Sequence, residues 1–258
     1  MPQISIQGKS IHFQEGEKFE KSRPTLLFVH GAGQRAYTWR FQEDLFRNHP
    51  KFNYMALDLP GRAGSEGEGF HTLEEYKNFL LEFIDALELN NIILVGHSMG
   101  GGISMLLAIE HPELVEALIL VATSAKLSVA SETLEKVKDN YEEFYEISPT
   151  RAFAEESPKE LKDEYQQGLI DTGSAVCYGD LMACNVFDIM KEVEIQLSFL
   201  EVKDCHPLAQ VTIDQAIPIL GMLFCFKKRR DLNQKIIMRK FRNNLKKEIC
   251  SLMKKQRN

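Results

Sequence analysis

Four short runs of consecutive apolar residues place the strongest constraint on how this chain can fold. They lie at residues 25–31, 53–61, 92–98 and 117–124, and each has about the length of a strand. Because apolar residues occupy both alternating faces of each run, each strand must be covered on both sides, as in a parallel sheet. Apolar residues with helical spacing fill segments between the runs, such as 73–87. This alternation predicts an α/β fold with a mostly parallel sheet and helices on both faces.

Patterns outside the four runs predict how the chain is divided. Residues 3–7 and 10–13 alternate apolar and polar side chains, which predicts an antiparallel hairpin. Residues 125–190 have helical spacing without a strand run, which predicts a helical insertion over the sheet edge, and 195–202 has the pattern of a returning strand. We therefore predict a core at 1–124, a helical cap at 125–190 and an atypical C-terminal segment at 191–258.

Composition narrows the class of protein and its partners. The chain is 44% hydrophobic and 26% charged, as in globular proteins, and its net charge of −6 does not favour nucleic acid as a partner. Five cysteines without a Cys-x-x-Cys pair indicate reduced thiols rather than disulfides or a zinc site, and favour a cytoplasmic location. The first residues lack the features of a signal peptide, and the apolar run at 216–226 is too short to span a membrane.

The stretch Gly96-His97-Ser98-Met99-Gly100 joins the third apolar run to the helical segment behind it. A sharp strand-to-helix turn of the Gly-x-Ser-x-Gly type exposes the serine hydroxyl and needs small residues two positions before and after it. The free N–H groups and the dipole of the following helix stabilise negative charge at the same place. The pattern favours Ser98 as a nucleophile. The alternative, a nucleotide-binding glycine turn, is weak because Gly-x-Gly-x-x-Gly is absent.

Three further motifs stand in order around this turn: FVHGAGQRAYTW at 28–39, DLPGRAGSEG at 58–67 and EHPELVEALILV at 110–121. Together with VGHSMGG, they make the chain similar to the alpha/beta-hydrolase superfamily, especially its small, cap-bearing esterase-like and haloperoxidase-like members. Ala63 stands where that family usually has glycine. The similarity covers about residues 3–195, and it implies the fold of that family.

The resemblance also implies roles for individual residues. Ser98 would attack an acyl carbon, and the backbone N–H groups of Ala32 and Met99 would form an oxyanion hole. His30 would hold its loop by hydrogen bonds, and three motif glycines would support the arrangement: Gly31, Gly96 and Gly100. The implied substrate is an ester or a similar small acyl compound, and neither a metal nor an organic cofactor is implied.

The base and the acid that a serine nucleophile needs are not recognisable. The base must be oriented by a third group, and in this superfamily the chain order is Ser, then the acid, then His. After Ser98, neither the family's Gly-x-x-Asp-like turn behind a later strand nor its Gly-His turn near the end is present. His206, two residues after Asp204, is the candidate base, and a surface loop histidine is the alternative interpretation of it.

The C-terminal tail differs from the rest of the chain. Residues 227–258 carry 13 basic and two acidic residues, and the resemblance stops near residue 195, so the C-terminal part of the sheet is expected to be incomplete. Apolar residues recur there with helical spacing, which is typical of a basic amphipathic helix. A solvated helix over the sheet edge and a frameshifted translation are both favoured over contact between this tail and a membrane.

Two functions follow from these observations. The leading prediction is a serine hydrolase that acts on esters or similar small acyl substrates. The alternative is a catalytically impaired or non-catalytic protein of the same fold, which lacks the usual Asp and His.

Overall fold

The computed structural model describes residues 2–192 and two later strands, at 200–204 and 223–228. Residue 1 and residues 193–199, 205–222 and 229–258 lie outside this description, and with them lie His206 and the predicted basic helix. The chain divides into two compact units, Met1–Lys227 and Lys228–Asn258, and the helices described below belong to the first.

Eight strands form one sheet in the order β1-β2-β4-β3-β5-β6-β8-β7. The four strands β4, β3, β5 and β6 are parallel to one another, and the antiparallel hairpin β1-β2 joins them through β4. The strands are β1 Gln3–Ile6, β2 Lys9–Glu15, β3 Thr25–Val29, β4 Asn53–Leu57, β5 Ile92–His97, β6 Val115–Val121, β7 Leu200–Asp204 and β8 Leu223–Lys228. Each of the four apolar runs therefore overlaps one strand of the parallel centre.

Seven α-helices lie in the described part of the chain, in addition to a 3-10 helix at Ala36–Trp39. They are α1 Arg40–Phe46, α2 Leu73–Ala86, α3 Met99–Glu110, α4 Ser131–Asp139, α5 Tyr141–Ala152, α6 Lys159–Thr172 and α7 Ser174–Asn185. Thr72 and Glu75 form a reciprocal capping box at the start of α2.

Alternate side chains of β3 show that helices cover both faces of the sheet. Leu27 and Val29 belong to the main core, which includes residues of α2 and α3. Phe28, between them, lies on the other face, where its ring centroid is 5.0 Å from that of Trp39 and 6.4 Å from that of Phe46. The predicted α/β fold with a parallel centre and helices on both faces is confirmed.

The sheet continues beyond β6. The sequence predicts an incomplete C-terminal part of the sheet. In the described residues two strands follow β6 at this edge, β8, which is antiparallel to β6, and then β7. The strand predicted at 195–202 overlaps β7, and residues 195–199 lie outside the described part. Pairing here does not depend on family-like residues, because ladder hydrogen bonds come from the backbone.

Helices α4–α7 form a separate group with its own buried cluster. The cluster contains Val137, Phe144, Leu169 and Cys177. Asn140 separates α4 from α5. Its side chain accepts a hydrogen bond from the Glu143 N–H and so caps the start of α5. The boundaries predicted for the core, the cap and the C-terminal segment stay a prediction.

No helix in the described part is both long enough and apolar enough to cross a membrane.

Candidate functional site

Ser98 lies at the corner between β5 and α3 with a strained backbone. Its φ is 51° and its ψ is −118°, a conformation that residues other than glycine rarely adopt. The Ser98 N–H donates to the Val121 carbonyl at 3.0 Å, and the Ser98 carbonyl accepts from the Thr123 hydroxyl at 2.7 Å. The side chain is partly exposed and does not cap α3. Neighbouring residues therefore hold the backbone, and the hydroxyl is not used to close the helix end.

The glycines of the corner are required by close approach of the backbone. A Cβ at Gly96 would lie 2.6 Å from the Gly101 Cα. A Cβ at Gly100 would overlap the carbonyl oxygens of Val29 and His30, the second at 2.6 Å. Since these neighbours are backbone atoms that cannot rotate away, no side chain fits at either position.

The loop that follows β3, residues 30–36, passes beside Ser98; we call it the β3 loop. A Cβ at Gly31 would lie 3.2 Å from the Ser98 Cβ. The buried His30 ring fixes the loop, because its Nε2 accepts from the Leu59 N–H at 3.1 Å and its Nδ1 therefore donates to the Gly31 carbonyl at 2.9 Å. Burial, together with the charge of Arg62, holds the pKa of His30 well below its usual value, which keeps the ring neutral.

Two carboxylates accept hydrogen bonds from the β3 loop. Asp58, just after β4, accepts from the Ala36 N–H at 2.6 Å and also contacts the His12 ring. Asp180, on α7, accepts from the Gly33 N–H at 2.8 Å. The Thr172 hydroxyl oxygen lies 3.2 Å from the Gly33 carbonyl. The loop is thus held from the sheet on one side and from α6 and α7 on the other.

Asp180 is the centre of a fully buried polar cluster with Arg62 and Tyr76. The Arg62 guanidinium donates to both carboxylate oxygens, at 2.7 and 2.9 Å, and the Tyr76 hydroxyl donates to Asp180 as well. Both side chains of the ion pair are 0% exposed. Although burial alone would lower the pKa of Arg62, the Asp180 carboxylate raises it above its usual value. Burial, and next the charge of Asp180, raises the pKa of Tyr76.

This cluster is absent from the sequence-based predictions. Its signal in the sequence is Asp180 itself, the one charged residue in the helix SAVCYGDLMACN. A lone carboxylate among uncharged helical residues indicates burial with a partner, since an unpaired buried charge is costly. Nothing in the sequence identifies that partner as Arg62, which is 118 residues away.

The structure brings some predicted site residues together and leaves one outside. Ser98 and Met99 lie at the corner, and Gly31 and Ala32 lie in the β3 loop beside it. His206 is not among the described residues, and within residues 2–192 no histidine is hydrogen-bonded to the Ser98 hydroxyl. The buried thiols of Cys177 and Cys184 are free, and burial raises the pKa of each to about 12, so both remain protonated.

His97 precedes Ser98 and packs with its ring edge against Trp39, the ring centroids being 6.4 Å apart. Its Nδ1 is buried, and no residue of the described part hydrogen-bonds to it. Burial lowers the pKa of His97 from 6.5 to about 4. The ring is neutral at pH 7 and resists protonation.

We expect His97 to make the folded state sensitive to acid. Its folded pKa lies below the unfolded value, so the unfolded chain binds an extra proton as the pH falls from 6.5 to about 4. Stability is therefore lost in this window, by about 2 kcal/mol after allowance for partial exposure of the ring. His97→Phe, which keeps an aromatic ring, removes this loss, and exposed His71→Phe does not. Urea unfolding at pH 7.5 and pH 4.5 measures the difference. Equal losses in wild type and His97→Phe would contradict the expectation.

Known proteins match the part of the chain that contains Ser98 and the β3 loop. A family model described as alpha/beta hydrolase fold matches residues 24–159. An uncharacterised hydrolase of Bacillus subtilis is 29% identical over 133 residues, which cover 51% of this chain and 47% of that protein. Epoxide hydrolase 3 of Xenopus tropicalis is 32% identical over 123 residues, which cover 46% of this chain and 32% of that protein. The matches span less than half of the length of these relatives.

Solved structures match over a larger part of the chain. A thermophilic esterase has a TM-score of 0.63 at 26% identity and covers 75% of this chain, which in turn covers 71% of the esterase. The enol-lactonase from Burkholderia xenovorans LB400 has a TM-score of 0.65 at 19% identity, with coverages of 74% and 76%. At this lower identity the likeness shows the fold alone.

Proposed function

Because this chain belongs to the alpha/beta hydrolase fold family, we propose that it is a hydrolase of esters or similar small acyl compounds with Ser98 as its nucleophile. The observation that carries the proposal is the strained φ of 51° at Ser98, placed between β5 and α3. Strain of this kind persists only where the surrounding structure imposes it, and it is concentrated at functional sites. The esterase among the structural neighbours supports the same reaction class.

The proposed reaction begins with attack of the Ser98 Oγ on the acyl carbon. A base takes the hydroxyl proton, and the carbonyl oxygen becomes an oxyanion. The base then passes that proton to the leaving alcohol, and water releases the acyl group from Ser98 by the same two steps. His206 stays the candidate base. His30 is unsuitable for this role because backbone groups occupy both of its ring nitrogens.

We assign the oxyanion hole to the backbone N–H groups of Met99 and Ala32. Met99 is the first residue of α3, so its amide has no acceptor within the helix. Ala32 follows Gly31, which lies against Ser98. Within residues 2–192, neither amide donates to another backbone carbonyl. One such donor contributes a factor of about 10²–10³ to kcat in other enzymes.

We assign the apolar part of a small substrate to a groove beside the β3 loop, whose lining does not include Ser98 itself. It runs between the 3-10 helix with α1 on one side and α5 with α6 on the other, and four aromatic residues line it: Tyr37, Phe41, Phe153 and Tyr165. Gln34, which follows the proposed hole in the loop, supplies a polar group in the same lining. The ion pair between Arg40 and Glu164 also belongs to the lining, so the groove combines aromatic walls with charged groups.

The proposal is tested with a fluorophosphonate probe, which reacts covalently with activated serines, and with short p-nitrophenyl esters. We expect the wild type to hydrolyse the esters and to carry the probe on the peptide that contains Ser98. Ser98→Ala should lose both signals, whereas Ser124→Ala, which alters an exposed serine after β6, should keep them. A folded wild type with neither labelling nor turnover would refute the proposal and favour the non-catalytic alternative.

A further inference from the structure

We propose that Asp180 is a positioning residue for the oxyanion hole: its carboxylate fixes the β3 loop through the Gly33 N–H and so sets the place of the neighbouring Ala32 amide. The inference rests on the proposed function, because it concerns the accuracy of the same site. Through Asp180, the packing of α7 against Tyr76 of α2 and against the β3 loop is coupled to the geometry beside Ser98.

The first support is the way in which the four donors to Asp180 are shared between its oxygens. One oxygen takes the Tyr76 hydroxyl and one guanidinium nitrogen of Arg62, and the other takes the second nitrogen and the Gly33 N–H. Arg62 neutralises the charge, and Tyr76 adds a further donor on the core side. The bond from Gly33 adds nothing to neutralisation, but it is the one contact that reaches the β3 loop. A charge-assisted bond of 2.8 Å in a fully buried place is strong and directional.

The second support is the enclosure of Gly33 by α6 and α7. Its φ is +65°, and a Cβ there would lie 2.5 Å from the Leu169 side chain and 3.3 Å from the Cys177 sulfur. The Thr172 hydroxyl oxygen approaches the Gly33 carbonyl from the same side. These two helices therefore contact the backbone of the loop on its amide, its carbonyl and its Cα.

The consequence for catalysis follows from chain connectivity. Ala32 and Gly33 share a peptide unit, so a displacement of Gly33 moves the carbonyl of Ala32 and tilts its amide. A misplacement of about 1 Å at a catalytic group costs up to about 10²-fold in rate. The competing interpretation is that the ion pair merely attaches α7 to the core, in which case the identity of the acceptor for Gly33 would not matter.

Two double variants separate these interpretations. Arg62→Met/Asp180→Asn removes both charges and keeps an amide oxygen that can accept from the Gly33 N–H. Arg62→Met/Asp180→Leu removes both charges and the acceptor, at nearly the same side-chain size. We expect both double variants to fold. The kcat for p-nitrophenyl esters should be about 10-fold or more lower in the leucine double variant than in the asparagine one, and KM should differ less than kcat.

Asp171→Asn is the matched control. Asp171 also joins this helical group to the β3 loop, through Arg35, but the pair is partly exposed and bonds a side chain rather than the loop backbone. We expect its kcat to stay within about twofold of the wild type, because exposed ion pairs contribute little. Equal kcat in the two double variants would overturn the positioning role.

Amide hydrogen exchange tests the positioning role without relying on catalysis. The peptide that covers residues 31–35 should exchange faster in the leucine double variant than in the asparagine one, and Asp171→Asn should match the wild type. Equal protection in both double variants would count against the inference. If the wild type shows neither turnover nor labelling but the exchange difference is present, the proposed function fails while the anchoring of the loop by Asp180 stands.

Discussion

Asp180→Leu, with Arg62 left in place, is expected to destabilise the folded protein by about 3–5 kcal/mol. The guanidinium of Arg62 would remain fully buried without its counter-ion, and the Gly33 N–H and the Tyr76 hydroxyl would each lose an acceptor. Arg62→Met should have a similar effect, because it leaves the carboxylate buried and unpaired. Removal of one partner is costly because neither charge has access to water.

The double variant Arg62→Met/Asp180→Leu should be more stable than either single variant. It leaves no buried charge, and its remaining cost is that of unpaired neutral groups, about 1–3 kcal/mol for each group. Urea unfolding of the wild type, the two single variants and the double variant gives the coupling energy directly. If the two single effects simply added in the double variant, the pair would not be a coupled buried unit, and the electrostatic account of the cluster would be wrong.

Gly100→Ala is expected to prevent formation of the corner at Ser98. The new Cβ would overlap the carbonyl oxygens of Val29 and His30, which belong to the end of β3 and the start of the β3 loop. Relief requires α3 to move away from the central strand β3, at a cost of about 3 kcal/mol or more. Thermal unfolding and labelling at Ser98 measure the stability and the local geometry together.

Gly168→Ala is the control for that substitution. Gly168 lies inside α6, and the nearest atom to a Cβ there is the Gln34 amide oxygen at 3.9 Å, an ordinary contact distance. Alanine favours helices over glycine by up to about 1 kcal/mol, so stability should be unchanged or slightly higher. A Gly100→Ala variant as stable as Gly168→Ala would show that the corner tolerates a side chain.

The main elements of the fold can be predicted from local patterns in the sequence. The run at 92–98 contains β5 because an apolar strand between two others needs no polar face. The capping box at Thr72 marks the start of α2 because its hydrogen bonds join residues three positions apart. The helical segment that the sequence places behind the run at 92–98 is α3, which begins at Met99. The corner at Ser98 is predictable for the same reason, since strand, turn and helix are adjacent along the chain.

The sequence by itself therefore determined the α/β class, the order along the chain of the strands as far as β6, and the place of the sharp turn, all of which depend on residues close together in the chain. Only the tertiary structure decided what holds the site. Asp180 meets Arg62 and Gly33 across separations of 118 and 147 residues, and no spacing rule joins residues so far apart. The physical reason is burial. A carboxylate that loses its water on folding must accept hydrogen bonds from donors that the packed elements bring near it, and the donors to Asp180 include the backbone beside Ser98.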